Sequence, residues 1–69
     1  MANMREVNKA IKQAFPNLDV RAVRSDGYVY YDGKDGFGKI ESLFCNPSTT
    51  PTEDMTRIVL EDINNVYGE

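Results

Sequence analysis

Residues 21–32 read Arg21-Ala22-Val23-Arg24-Ser25-Asp26-Gly27-Tyr28-Val29-Tyr30-Tyr31-Asp32. Two β-prone runs, residues 19–24 and 28–32, flank Ser25-Asp26-Gly27. An Asp-Gly pair between extended runs signals a hairpin, because a type I′ turn wants positive φ at both central positions. A two-residue Asp26-Gly27 turn sets the register. Ser25 then opposes Tyr28, Arg24 opposes Val29, Val23 opposes Tyr30, Ala22 opposes Tyr31 and Arg21 opposes Asp32. Side chains alternate across a strand, so two faces follow. Val20, Ala22, Arg24, Val29 and Tyr31 share one, assigned to the core for its small and β-branched residues. Arg21, Val23, Ser25, Tyr28, Tyr30 and Asp32 share the other, with Arg21 and Asp32 paired across strands.

Beyond the hairpin, Gly33-Lys34-Asp35-Gly36-Phe37-Gly38 is a looser connection, and residues 39–45 read as a third strand. There Ile40 and Phe44 would join the core, with Glu41 and Leu43 facing outward. Upstream, Met4, Val7, Ala10, Ile11, Ala14 and Phe15 recur at helical spacing, predicting a helix over residues 4–15. Asn3 is its expected N-cap, Glu6 the partner in a capping box, and Phe15-Pro16 its stop. Arg5, Lys9 and Lys12 share its outward face. Downstream, Thr50-Pro51-Thr52-Glu53 opens a second helix, with Thr50 as N-cap, Pro51 at the first helical position and Glu53 closing a capping box. Its apolar stripe is Met55, Ile58, Val59, Ile63, Val66 and Tyr67, and Gly68 ends it. The expected fold class is α+β in the order α-β-β-β-α. It is a three-stranded antiparallel meander with both amphipathic helices on one face, the economical way to bury two apolar stripes.

The chain has 69 residues, enough for one small domain over residues 1–69 and too few for two lobes around a cleft. It contains no His and one Cys, Cys45. That excludes His-based triads, His metal ligands, an intramolecular disulfide and a Cys-based zinc site. A lone thiol fits a reducing compartment, so the expected location is the cytoplasm. No run approaches the ~20 apolar residues of a membrane span, and Met1-Ala2-Asn3-Met4-Arg5-Glu6-Val7 lacks the apolar segment of a signal peptide. The net charge is −3. Residues 1–24 hold five cations and two acids (+3), while residues 25–69 hold three cations and nine acids (−6). Net acidity speaks against strong nonspecific nucleic-acid binding.

Catalytic and ligand motifs fail on spacing. Asp32-Gly33-Lys34-Asp35-Gly36 lacks the alternating acids and the bidentate Glu of a calcium loop. Gly36-Phe37-Gly38-Lys39 is followed by a strand, not by the helix of a phosphate-binding loop. Residues 35–42 keep the Gly-Phe-Gly of an RNA-recognition strand but carry Lys39 and Ser42 where its stacking aromatics belong. Adjacent acids on a helix, Glu53-Asp54 and Glu61-Asp62, point apart and cannot share a proton. The expectation is a protein without enzymatic activity, cofactor or metal.

The α-β-β-β-α order resembles the double-stranded RNA-binding domain in topology and length. Where that family grips phosphate with Lys-Lys-x-Ala-Lys at its second helix, this chain has Thr52-Glu53-Asp54-Met55-Thr56, so only the shape carries over. Ala14-Phe15-Pro16, residues 20–24 and Gly27-Tyr28-Val29-Tyr30 look like small α+β proteins of phages and mobile elements. That resemblance implies a small accessory protein that binds and blocks a host enzyme or defence complex, as anti-CRISPR proteins do.

The expected function is a non-enzymatic protein-binding module acting as an inhibitor or modulator. Its contact patch would be Arg21, Val23, Tyr28, Tyr30 and Leu43 on the open sheet face, since Tyr and Arg anchor interfaces. Glu53, Asp54, Glu61 and Asp62 would form an acidic rim steering a basic protein partner. The alternative is a nucleic-acid-binding accessory protein using Arg5, Lys9, Lys12, Arg21 and Arg24, with the tyrosines stacking on bases. A homodimer through the open face or sheet edge is a third reading.

Overall fold

The computed structural model describes residues 2–40 and 46–68. Two helices pack with an antiparallel sheet into a small α+β unit. Helix α1 spans Met4–Ala14, strand β1 Arg21–Arg24, strand β2 Val29–Asp32 and helix α2 Thr52–Tyr67. A three-residue strand β3, Gly38–Ile40, lies along the far side of β2, placing Ile40 opposite Val29 and Lys39 opposite Tyr30. The rest of the run expected as a third strand, with Glu41, Leu43 and Phe44, lies outside the described residues.

In the hairpin, β1 and β2 pair Arg21 with Asp32, Ala22 with Tyr31, Val23 with Tyr30 and Arg24 with Val29. The Ser25 N–H donates to the Tyr28 carbonyl at 2.9 Å. The turn itself differs from the type I′ expectation. Only Gly27 has positive φ, at 82°, and Asp26 does not. These φ signs are those of a type II turn, in which a single central residue needs the left-handed region and glycine supplies it.

One sheet face is sealed. Val20, Ala22, Val29 and Tyr31 are buried with Val7 and Ile11 of α1 and Met55, Val59 and Ile63 of α2. Each fully buried aliphatic side chain contributes roughly 1.5–3 kcal/mol. Arg24 is a correction: its register puts it on this face, yet it is exposed. It ends its strand, where a long cationic side chain can leave the core face.

The helices also correct the sequence reading at their ends. α1 closes at Ala14 with Phe15 as C-cap. The Asn3 side chain caps α1, accepting from Arg5 N–H at 3.1 Å and Glu6 N–H at 3.4 Å. The Asn3 N–H, which a capping box would give to Glu6, donates instead to Thr52 Oγ1 at 2.9 Å. A tertiary acceptor thus replaces the local one and ties the two helix starts together. α2 begins one residue later than expected. Pro51 is its N-cap, with φ −61° and ψ 154°, and its carbonyl accepts from Met55 N–H at 2.9 Å. Thr50, expected as the cap, is 6% exposed and belongs to the interior. The cap after Tyr67 is Gly68 with φ −81°, so α2 ends in extended backbone rather than a left-handed turn.

The apolar stripes are narrower than the spacing suggests. Ala14 is exposed, and Val66 and Tyr67 are 50% and 40% exposed. α2 has 16 residues, or roughly 24 Å, whereas a four-residue strand spans roughly 13 Å. α2 is therefore longer than any strand it packs with. Among the described residues, no helix is long and apolar enough to cross a membrane.

Candidate functional site

Both helices lie against the Val29–Tyr31 side of the sheet, so alternation turns Tyr28 and Tyr30 away from them. Tyr30 is 37% exposed, and Val23 and Tyr28 are half-buried beside it. Arg21 Nη2 donates to Asp32 Oδ2 at 3.0 Å across the strand pair. That guanidinium, together with the Gly33 N–H, holds the Asp32 carboxyl below its usual pKa of 3.8. Four residues of the expected patch (Arg21, Val23, Tyr28 and Tyr30) thus share one face. Leu43, the fifth, lies outside the described residues.

The acids do not form a rim around this patch. Glu53, Asp54, Glu61 and Asp62 all belong to α2, which packs on the opposite face. Asp54 lies 3.6 Å from Arg57 on the same helix. Asp62 accepts from the Tyr31 hydroxyl at 3.0 Å, so it is a structural partner of the core face. A carboxylate one turn before the helix end is placed to receive that hydroxyl, and only the packing of α2 on β2 reveals it.

The cations lie on another side. Arg5, Lys9 and Lys12 are exposed on α1, within about 60° of one another at 100° per residue. Asn8 borders this stripe and fastens α1 to β1. Its side-chain amide donates to the Ala22 carbonyl at 3.0 Å, and its oxygen accepts from Ala22 N–H at 2.7 Å. β1 is an edge strand. Asn8 therefore takes the position a partner strand would occupy, and strand-to-strand dimerisation at Ala22 would have to displace it. Beside Asn8, a groove of about 410 Å³ is lined by Lys12, Pro16, Asn17, Leu18, Asp19, Val20 and Arg21.

The residues that sequence reasoning missed are those that hold the surfaces in place. The Asp19 N–H donates to Asp35 Oδ2 at 2.7 Å, and the Lys34 N–H donates to Asp19 Oδ2 at 3.1 Å. Asp35 N–H returns to the Asp19 carbonyl at 3.0 Å. This clasp fixes the β2–β3 loop against the start of β1. Phe37 of that loop stacks on Tyr31, with ring centroids 4.3 Å apart, and meets Tyr67 edge-on at 5.8 Å. The Tyr67 hydroxyl donates to the Asp35 carbonyl. Two loop acids and a loop phenylalanine carry no periodic signal, so none of this was legible beforehand. Among the described residues, no group of three or more His, Cys, Asp or Glu side chains is placed to hold a metal. No family model, curated protein or solved structure matches this chain.

Proposed function

We propose that this chain is a non-enzymatic protein-binding module whose contact patch is the sheet face carrying Arg21, Val23, Tyr28 and Tyr30. The reading takes the sheet as a three-stranded meander in the order α-β-β-β-α, with both helices behind it. The supporting observation is that two tyrosines, a valine and a cross-strand ion pair are left on the face that α1 and α2 do not cover. Tyr and Arg supply large contact area at low entropic cost, which is why they dominate interface centres. On the resemblance to small phage proteins, the partner would be a host enzyme or defence complex that the module blocks. The acids of α2 would then act at long range, favouring encounter with a basic partner rather than touching it.

The test is capture from nuclease-treated bacterial lysate with wild type and the Tyr28→Ala, Tyr30→Ala double variant as parallel baits. A host protein held by wild type and lost by an equally well-folded variant is the expected result. Equal capture by both puts the contact elsewhere, and an empty wild-type lane removes the reading.

A further inference from the structure

The total charge of −3 averages over a first stretch, residues 1–24, that carries +3 and a remainder that carries −6. Asn8 sits at Ala22 and Lys12 beside residues 18–21, so α1 runs antiparallel to β1, with its Arg5 end toward Arg24. Arg5, Lys9 and Lys12 thereby form one row, and Arg24 and Arg21 stand at the two ends of the adjacent strand. The acids of α2 are on a different element, and Asp32 is already engaged by Arg21. The row covers about 10 Å from Arg5 to Lys12. At its Lys12 end lies the groove, whose apolar lining is Pro16, Leu18 and Val20 and whose polar lining includes Asn17, Arg21 and Asp19, the last with its carboxylate already accepting from the Lys34 N–H. Its volume of about 410 Å³ falls in the range that accepts a small ligand or a single base.

We propose that this α1–β1 strip binds the phosphate backbone of single-stranded nucleic acid, with one unpaired nucleotide entering the groove beside Lys12 and Arg21. An extended acidic peptide is the competing occupant. It would gain most by adding as a strand to β1, and the Asn8 carboxamide already fills that edge at Ala22. A phosphate backbone needs no strand edge, only fixed cations, and a groove lined by both polar and apolar groups suits a base, which has a polar edge and an apolar face and which a duplex would keep stacked. The proposal shares Arg21 with the sheet-face reading, but its variants leave Arg21, Tyr28 and Tyr30 unchanged, so the two can fail separately.

The experiment is fluorescence anisotropy with a labelled oligothymidylate of about 12 nucleotides, repeated from about 20 to 200 mM salt. Binding at low salt is expected, with a log–log salt slope of about −2 to −3 for three to four neutralised phosphates. Lys9→Glu with Lys12→Glu should weaken it at least about tenfold, and Lys9→Gln with Lys12→Gln should weaken it in the same direction. Lys34→Glu with Arg57→Glu makes the same change in net charge off the strip and should shift affinity less than about twofold. Folding of every variant is verified by its urea midpoint. No binding at low salt, or equal losses from both charge-reversal pairs, overturns the strip. Equal binding of a duplex overturns the single-strand assignment. Competition by poly-glutamate at equal charge concentration overturns nucleic acid in favour of an acidic protein segment.

Discussion

The carboxamide of Asn8 satisfies both backbone groups of Ala22, donating at 3.0 Å and accepting at 2.7 Å. Ser25 and Tyr28 form a hydrogen-bonded pair, and such pairs alternate along an antiparallel ladder. Ala22 and Tyr31 are therefore a non-bonded pair, and the polar groups of Ala22 face outward from β1. Asn8 meets them there, so one side chain sets the α1–β1 contact and closes the edge. Asn8→Ala should cost about 1–3 kcal/mol, the price of two unmet half-buried groups. It should also promote self-association at high concentration. Urea unfolding and sedimentation read the two effects, and an unchanged midpoint would show that water replaces Asn8 at no cost.

Tyr31 joins β2 to α2 through its hydroxyl on Asp62, and to the β2–β3 loop through its ring on Phe37. Tyr31→Phe keeps the ring and should cost about 0.5–1.5 kcal/mol, whereas Tyr31→Ala should cost about 3–5 kcal/mol. In a double-mutant cycle, Tyr31→Phe and Asp62→Ala should couple by at least about 0.5 kcal/mol. Strict additivity would mean that the hydroxyl–carboxylate contact adds nothing.

Gly33 has φ 104°, and a Cβ there would run into the Asp19 carbonyl oxygen. Gly27 also has positive φ, at 82°, but a Cβ there meets nothing within 4 Å. Gly27→Ala should cost about 1 kcal/mol, from backbone strain alone. Gly33→Ala should cost more, at about 2–4 kcal/mol, because it also breaks the Asp19–Asp35 clasp. Thermal unfolding of the two variants side by side decides, and equal losses would deny the clasp its role.

The Asp32 carboxyl titrates below its ordinary value of 3.8, first through the Arg21 hydrogen bond and then through the Gly33 N–H. A carboxyl whose folded pKa is depressed lends stability above the unfolded value, and that contribution fades as pH falls through the folded one. The window is therefore acid, below pH 3.8, and neutral-pH stability should be flat with respect to this pair. Carbon-detected NMR titration should place Asp32 below the ordinary value in wild type and move it upward in Arg21→Ala. The same titration point in both proteins would remove Arg21 as the cause.

Local chemistry determined the hairpin, the two helices and the sorting of the faces. Asp26-Gly27 admits a tight turn, the strand alternation then follows, and apolar residues at helical spacing mark α1 and α2. Each of these depends on residues within a few positions of one another. Three other features came only with the structure, the last two through tertiary packing. The first is the turn type, set by the sign of φ at Asp26. The second is the diversion of the Asn3 N–H to Thr52, across 49 positions of sequence. The third is the placing of the acids behind the tyrosine face, with Asp62 bonded to Tyr31. A polar group takes the best partner that packing brings within reach, and that partner is often distant in the chain. For the same reason Asn8, Asp19, Asp35 and Phe37, which hold the candidate surfaces in place, show no periodicity by which a sequence reader would choose them.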